Sequence, residues 1–175
     1  MRKFIVTDPC YIMPKSTWSK VCKEVFDNPN TEDRYDIFDQ RIQEELRKFA
    51  GTDSAWAGST GIGDWSNTIT SFDDDIAKVV HSQFSADAGM VCVCELTPPI
   101  EQIIKNEGYS FDWSIAMFEV EDTSVVECLI DQSDSSWTVV NVSVDGDIVL
   151  HSEEQDEMIE DEEEDYYGYY EDEEE

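Results

Sequence analysis

The chain has 175 residues, which suits one domain with an appendage, and 40% of them are hydrophobic, so it can bury a core. Forty-two acids face 11 bases, a formal net charge of −31, and this charge disfavours direct binding to nucleic acid. No apolar run approaches the ~20 residues that a membrane span needs.

The N-terminal third predicts a strand followed by two amphipathic helices. Phe4–Val6 is a short apolar run, and the two prolines of "DPCYIMP" favour a loop or an edge strand after it. Ser16 is a candidate N-cap for the first helix, and Gly51 is placed to end the second. The apolar stripes of the two helices are Trp18, Val21, Cys22, Val25 and Phe26, and then Tyr35, Phe38, Ile42, Leu46 and Phe49.

The middle of the chain changes to short extended segments. "SAWAGSTGIGDWSNTITSF" predicts two strands joined near Gly61–Asp64, and "GMVCVCEL" predicts a buried strand. "FDDDIAKVVHSQF" is ambiguous, and one helical turn capped by Asp73 is an interpretation of it. "TPPIEQIIKNEG" predicts a third helix, because Thr97 can cap it, Pro98 suits its first position and Gly108 can end it.

The last part of the domain predicts further strands. "SIAMFEVED" and "SVVECLID" are extended, and "SWTVVNVSVDGDIVLHS" is a hairpin that turns at Asp145-Gly146. Together the patterns predict an α+β domain over residues 1–152, with a mainly antiparallel sheet packed with about three helices. Residues 153–175 are predicted to be a flexible acidic tail, because so few apolar residues cannot offset the cost of ordering it.

The negative charge rises along the chain. Residues 1–50 hold nine acids and nine bases, whereas residues 106–152 hold ten acids and no base, and residues 153–175 hold fifteen acids and no base. Without the tail, 27 acids and 11 bases still leave the domain at −16. The acidity is therefore a property of the domain as well as of the tail.

The cysteines and the N-terminus favour a reducing compartment. The five cysteines are an odd number without a compact pattern of spacings, and "MRKFIV" is too short an apolar run for a secretory signal. We therefore expect a soluble cytoplasmic protein with free thiols, in the host cytoplasm if the chain is phage-encoded. Cys92 and Cys94 are two residues apart, and we expect both to be small buried residues on one face of a strand.

Catalytic and metal motifs are weak throughout. "GSTGIGDW" lacks the Lys and Ser/Thr of a P-loop and favours a glycine-rich hairpin. There is no CxxC, HxxxH or calcium-loop pattern, so neither a metal nor a cofactor is predicted. Cys10 and His81 have the residue types of a nucleophile and its base, but nothing else in the sequence supports that pair. Enzymatic activity stays open, and a non-enzymatic protein is favoured.

Three short motifs resemble small β-rich proteins of uncharacterised function from bacteria and their phages. They are "DPCYI", "TGIGDW" and "SADAGMVCV", in that order within residues 5–95. In that group an Asp-Pro-Cys-Tyr opening, a Thr-Gly-x-Gly-Asp turn and an Asp-Ala-Gly before a strand recur. Here Trp65 follows the Gly-Asp where the group has glycine, and the acidic tail is extra. The resemblance implies a fold and a phage or bacterial origin, but no active site.

The favoured function is imitation of a nucleic-acid backbone. An extended run of acids advances about 3.3–3.6 Å per residue, close to the ~3.4 Å between charges on one strand of DNA. The expected partner is a basic nucleic-acid-binding protein of a host or its defences, inhibited through its nucleic-acid site; the oligomeric state is open. The predicted partner-binding residues are Glu160, Asp161, Glu162, Glu163, Glu164, Asp165, Tyr166, Tyr167, Tyr169 and Tyr170 in the tail, and Asp131, Asp134, Asp145 and Asp147 in the domain.

Three alternatives stay open. The tail could fold back on the basic helices at Arg34, Arg41, Arg47 and Lys48, or it could serve only solubility. The domain could also be a small enzyme or a ligand-binding domain, with a cleft around the glycine-rich hairpin. The residues of that cleft would be Asp8, Cys10, Asp64 and Asp87.

Overall fold

A computed structural model of the chain describes residues 1–27, 33–59, 65–109, 111, 114–132 and 138–153, and within these ranges the chain has the predicted α+β class. The helices are α1 (Lys15–Phe26), α2 (Arg34–Ala50) and α3 (Pro98–Glu107). The strands are β1 (Arg2–Thr7), β2 (Ala55–Ser59), β3 (Trp65–Ser71), β4 (Lys78–His81), β5 (Gln83–Ala86), β6 (Met90–Glu95), β7 (Ala116–Val120), β8 (Val126–Gln132), β9 (Thr138–Val144) and β10 (Asp147–Glu153). None of the described helices combines the length and the apolarity needed to cross a membrane.

The strands form two five-stranded antiparallel sheets. Sheet A has the order β2-β6-β1-β7-β4, and sheet B has the order β5-β3-β10-β9-β8. Only Ser82 separates β4 from β5, so the chain passes from sheet A to sheet B at that residue. The helices pack on one face of sheet A and sheet B packs on the other, which gives three layers.

Sheet A separates the hydrophobic core into two parts. On β6, Val91 and Val93 point towards sheet B, whereas Cys92 and Cys94 point towards the helices. Both faces of the sheet are therefore buried, which is why "GMVCVCEL" is a continuous apolar run rather than an alternating one. The two cysteines are buried free thiols on one face of the strand, as the sequence predicts.

The C-terminal end of α2 and the turn of the last hairpin form where the sequence predicts them. Gly51 ends α2 in the left-handed conformation with φ 72°, and its N–H donates to the carbonyl of Arg47. The turn between β9 and β10 has positive φ at both Asp145 (52°) and Gly146 (94°), as a tight hairpin requires.

Two predicted helix caps are wrong in detail. Helix α1 begins at Lys15 after Pro14, so Ser16 lies inside the helix and does not cap it. Thr97 occupies the cap position of α3, but its buried hydroxyl oxygen has no hydrogen-bond partner among the described residues. Pro99, at the second helical position, has no N–H to donate to it, and the remaining candidate donor, the N–H of Ile100, makes no hydrogen bond with it.

The ambiguous segment "FDDDIAKVVHSQF" is a turn followed by two short strands, β4 and β5. A carboxylate oxygen of Asp73 accepts a hydrogen bond from the N–H of Asp75 at 3.0 Å, and the carbonyl of Asp73 accepts from Ile76 and Ala77. Asp73 therefore organises this turn, and the chain then continues as strand rather than as helix.

The glycine-rich segment lies mostly outside the described residues, and the predicted join near Gly61–Asp64 falls in that part. Its second residue, Ser59, is bound to α2, because the Asp39 carboxylate accepts hydrogen bonds from the Ser59 N–H (3.2 Å) and hydroxyl (2.5 Å). Burial raises the pKa of Asp39.

A buried glycine lets the two sheets approach each other at one edge. Gly58 lies in β2 of sheet A, and a Cβ atom placed on it would lie 2.8 Å from Cγ2 and 3.3 Å from Cβ of Ile130 in sheet B. Both atoms belong to the stiff β-branched part of Ile130, so that side chain cannot easily move aside. Any larger residue at position 58 would therefore push β2 and β8 apart.

Replacing Gly58 by Ala should lower the free energy of unfolding by about 1–3 kcal/mol through this overlap. Urea denaturation of Gly58→Ala, of Ile130→Ala and of the double variant measures the effect. In the Ile130→Ala background, Gly58→Ala should lower the free energy of unfolding much less, because the overlapping Cγ2 atom of Ile130 is gone. The same cost in both backgrounds would show that the overlap is not the cause.

Candidate functional sites at the two ends of the sandwich

Antiparallel pairing brings three loops to one end of the sandwich. Ser71 near the end of β3 pairs with Leu150 of β10, so the loop after β3 lies beside the turn before β10. Val126 at the start of β8 pairs with Val144 at the end of β9, so the segment before β8 lies there too. We call this end the acidic end and define it by residues 72–77, 121–125 and 145–147.

The acidic end carries seven exposed carboxylates: Asp73, Asp74, Asp75, Glu121, Asp122, Asp145 and Asp147. Of the cations nearby, the amino group of Met1 contacts Asp122 at 3.1 Å and Arg2 contacts Glu95 at 3.0 Å, and exposed Lys78 directly follows the first loop. The ends of β3, β10, β9 and β8 lie about 4.8 Å apart, so this row of strand ends spans about 14 Å. The fold therefore concentrates acids that lie far apart in sequence.

Asp145 is also a structural residue. Its backbone N–H donates to the carbonyl of Val125 at 2.8 Å, and its carboxylate accepts from the N–H of Val125 at 2.9 Å. These two hydrogen bonds fasten the β9–β10 turn to the segment before β8. The relative positions of two of the three acidic loops are fixed in this way.

The predicted partner-binding residues are only partly brought together. Asp145 and Asp147 lie at the acidic end, and Asp131 lies in β8, where only its backbone is described. Asp134 and the tail residues Glu160–Tyr170 lie outside the described residues. Asp73–Asp75, Glu121 and Asp122 are not among the predicted residues, although the sequence contains the acidic runs "FDDD" and "EVED". The sequence does not show the strand order that brings these runs to the same end of the sandwich.

At the opposite end, a buried carboxylate joins two of the short motifs. Asp8 is fully buried, and one of its oxygens accepts from the N–H of Cys10 at 2.9 Å. The other oxygen accepts from the N–H groups of Asp87 (2.9 Å) and Ala88 (2.7 Å). Burial raises the pKa of Asp8, and these three hydrogen bonds oppose that shift. The carboxylate thus connects "DPCY" to the Asp-Ala-Gly turn about 80 residues later.

The residues around Asp8 have the properties of a structural cluster. Burial, and then the negative charge of Asp8, raise the pKa of the Cys10 thiol, whereas a nucleophilic cysteine needs a lowered pKa. Tyr11 packs against Tyr109 with ring centroids 4.4 Å apart. No group of His, Cys, Asp and Glu within the described ranges is arranged to hold a metal ion. The cleft residues Asp8, Cys10 and Asp87 do come together, while Asp64 lies outside the described part.

Most of the bases predicted to receive the tail already have partners in the domain. Arg41 contacts Glu24 at 2.8 Å and Glu45 at 3.3 Å, and Lys48 also contacts Glu45 at 3.3 Å. The Arg47 side chain donates to the carbonyl of Ala55 at 3.1 Å. A tail folded onto α2 would compete with these contacts, which weakens the fold-back interpretation.

A scan against protein-family models, a search of the curated proteins and a search of the solved structures each found no match. The resemblance to small bacterial and phage proteins therefore stays a prediction. Two of its motifs, "DPCY" and the Asp-Ala-Gly turn, meet at the Asp8 carboxylate.

Replacing Asp8 by Asn should lower the free energy of unfolding by about 1–3 kcal/mol, because the amide nitrogen cannot accept and leaves at least one buried N–H unpaired. Urea denaturation measures the loss. Asp36→Asn, at an exposed position on α2, is the matched control and should change stability by less than about 0.5 kcal/mol. Equal stability of the two variants would mean that the Asp8 hydrogen bonds contribute nothing net.

All five thiols should react slowly with iodoacetamide at pH 8 in the native protein. Burial raises the pKa of every cysteine, that of Cys94 to about 12, so the thiolate fraction of each is below that of a free cysteine with a pKa of about 8.5. Mass spectrometry should show alkylation of all five only after unfolding in urea. A native cysteine that reacts as fast as free cysteine would instead indicate a nucleophile.

Proposed function

We propose that the protein is an acidic, non-enzymatic binding protein that presents phosphate-like charge to a basic nucleic-acid-handling protein. It inhibits that partner by occupying the site for DNA or RNA, as a phage protein acting on a host or defence enzyme would. The observation that carries the proposal is the convergence of seven exposed carboxylates on the acidic end.

The charge density of the acidic end is close to that of a duplex. A duplex carries one charge per ~1.7 Å of axis, hence about eight phosphates over the ~14 Å that four strand ends span. Five carboxylates, Asp73–Asp75, Asp145 and Asp147, lie in the loops that join this row, and Glu121 and Asp122 follow β7 of sheet A beside it, so the density is of the same order. A basic cleft that binds a duplex would gain binding free energy from these carboxylates, because counterions are released as they are when DNA binds.

The distribution of bases favours approach by sheet B, and the three bases outside the helices, Arg2, Lys3 and Lys78, lie at the sheet A strand ends beside the acidic end. The strands of sheet B contain no Lys or Arg. Eight of the 11 bases lie on the helices, on the far side of sheet A: Lys15, Lys20, Lys23, Arg34, Arg41, Arg47, Lys48 and Lys105. The field of such a molecule turns its base-free side towards a positively charged partner and raises the association rate.

The acidic end and the tail are separate sources of charge. Strand β10 starts at the acidic end with Asp147, and its last residue, Glu153, is about 20 Å away, since the six steps between them advance about 3.3 Å each. The tail therefore begins at the other end of the sandwich. Deleting residues 154–175 tests the tail alone, and substitutions in the loops test the acidic end alone.

The test is affinity capture on the immobilised full-length chain, from a nuclease-treated lysate of the organism that encodes it or of its host. Bound protein is eluted in parallel by a salt gradient and by excess duplex DNA. We expect a basic nucleic-acid-binding protein that both eluents release, and whose activity on nucleic acid the chain inhibits. A specific partner that neither DNA nor RNA displaces would overturn the proposal.

Neutralising three acids of the acidic end should weaken binding to that partner and flatten its salt dependence. For Asp74→Asn/Asp75→Asn/Asp147→Asn, the slope of log affinity against log salt should fall by up to about three units, one for each basic group of the partner that no longer meets a carboxylate. The control is Asp27→Asn/Asp36→Asn/Glu44→Gln, which removes the same charge from the helical layer and leaves Arg41 with Glu24 and Glu45. Equal effects of the two variants would show that only net charge matters.

A further inference from the structure

We infer that the partner-binding surface has two parts, the acidic end and an apolar part on the outer face of sheet B. Phe72 and Ile148 pack against an apolar patch of the partner that is bordered by its Arg and Lys residues. The inference rests on the proposed function and adds a contact that does not depend on charge. It assigns Phe72 as the anchor of the interaction.

Phe72 is exposed and yet held in place. Its side chain is 62% exposed, and its backbone N–H donates to the carbonyl of Val149 at 2.7 Å. Its ring stacks on the imidazole of His151, with centroids 4.5 Å apart and planes inclined by 23°. An aromatic ring fixed in this way loses little conformational freedom on binding, which favours affinity. It is followed directly by Asp73, Asp74 and Asp75, so apolar area and charge lie together.

Other apolar side chains share this face. Ile148, on the neighbouring strand β10, is 54% exposed, and Val125 and Leu129, beside and within β8, are 61% and 60% exposed. Single exposed apolar residues are ordinary on a protein surface, but several on one sheet face typically mark an interaction site. The rest of this face is polar and uncharged for the most part, with residues such as Thr68, Thr70, Asn141 and Ser143.

Charge decides which occupant fits this face. A second copy docked face to face would bring two base-free sheets and two acidic ends together, at a cost in repulsion. The segment 154–175 has no base and fourteen acids, so the same repulsion acts against it. A partner with Arg and Lys around an apolar patch is attracted by the acids and covers the apolar side chains.

The two halves of the surface have different effects on binding. Exposed charge pairs at the rim of an interface contribute little affinity, and they act mainly on the association rate. Buried aromatic anchors near the centre contribute most of the binding energy. We therefore expect the acidic end to set the salt dependence of binding, and Phe72 to change affinity by the same factor at every salt concentration.

Two synthetic peptides of equal length and charge test this, one alternating Arg with Leu and one alternating Arg with Ser. Fluorescence anisotropy measures their binding to the full-length chain over a range of salt concentrations. The wild type should bind the Arg-Leu peptide about tenfold more tightly, and Phe72→Ala should remove most of that difference without changing the salt slope. Tyr35→Ala is the matched control, since Tyr35 is 64% exposed on α2 in the helical layer, and it should keep the full difference.

The outcomes separate the two proposals. Suppose that peptide affinity falls steeply with salt, but Phe72→Ala still binds the Arg-Leu peptide tenfold more tightly than the Arg-Ser peptide. The inference about sheet B is then wrong and the proposed function stands. If neither peptide binds more weakly as salt rises, the proposed function itself fails. Ile148→Ser is a second variant on the same face and should also reduce the preference, and thermal unfolding of each variant confirms that it is folded.

Discussion

Burial of sheet A on both faces is the constraint on which the rest of this molecule depends. With Val91 and Val93 packed on one side and Cys92 and Cys94 on the other, the middle of β6 has no face left for polar side chains. Charged groups in the described residues lie on the helices, in the loops, on the outer face of sheet B and towards the ends of the sheet A strands. Because the helices take eight of the 11 bases, few cations are left near the acids of the remaining loops. The amino group of Met1 contacts Asp122, and Arg2, Lys3 and Lys78 lie at neighbouring ends of the sheet A strands. The charge separation is thus a consequence of the layering.

Local signals in the sequence predicted the elements well, because each depends on a few neighbouring residues. The stripe of α2, its glycine end and the Asp145-Gly146 turn are of this kind. Thr97 occupies the cap position of α3, but Pro99 removes one of the two N–H donors that could reach its hydroxyl, and no hydrogen bond forms with the other. "FDDDIAKVVHSQF" was ambiguous because its strands are only four residues long and join different sheets, so no single periodicity covers them.

The candidate sites depend on contacts that no local pattern contains. Asp8 and Ala88 are 80 residues apart, and the sequence shows only that each belongs to a short motif. The strand order brings Asp74 and Asp147 to one end of the sandwich, but in the sequence they lie more than 70 residues apart in separate segments. The tail was predicted to bind a partner because its acids are contiguous in the sequence. The acidic end can be recognised only from the topology of the strands. The role of Phe72 can be recognised only from the structure, which shows its exposed ring stacked on His151.

The position of β1 in sheet A has a consequence for synthesis of the chain. β1 lies between β6 and β7 in sheet A. Although β1 leaves the ribosome early, it cannot pair fully on both sides until residue 120, the end of β7, has also emerged. At about 5–20 residues per second this takes roughly 6–24 s. During that time the apolar segment Phe4–Val6 lacks the neighbours that cover it in the finished sheet. The nascent chain is therefore open to chaperones and to aggregation for longer than a domain built from consecutive hairpins would be.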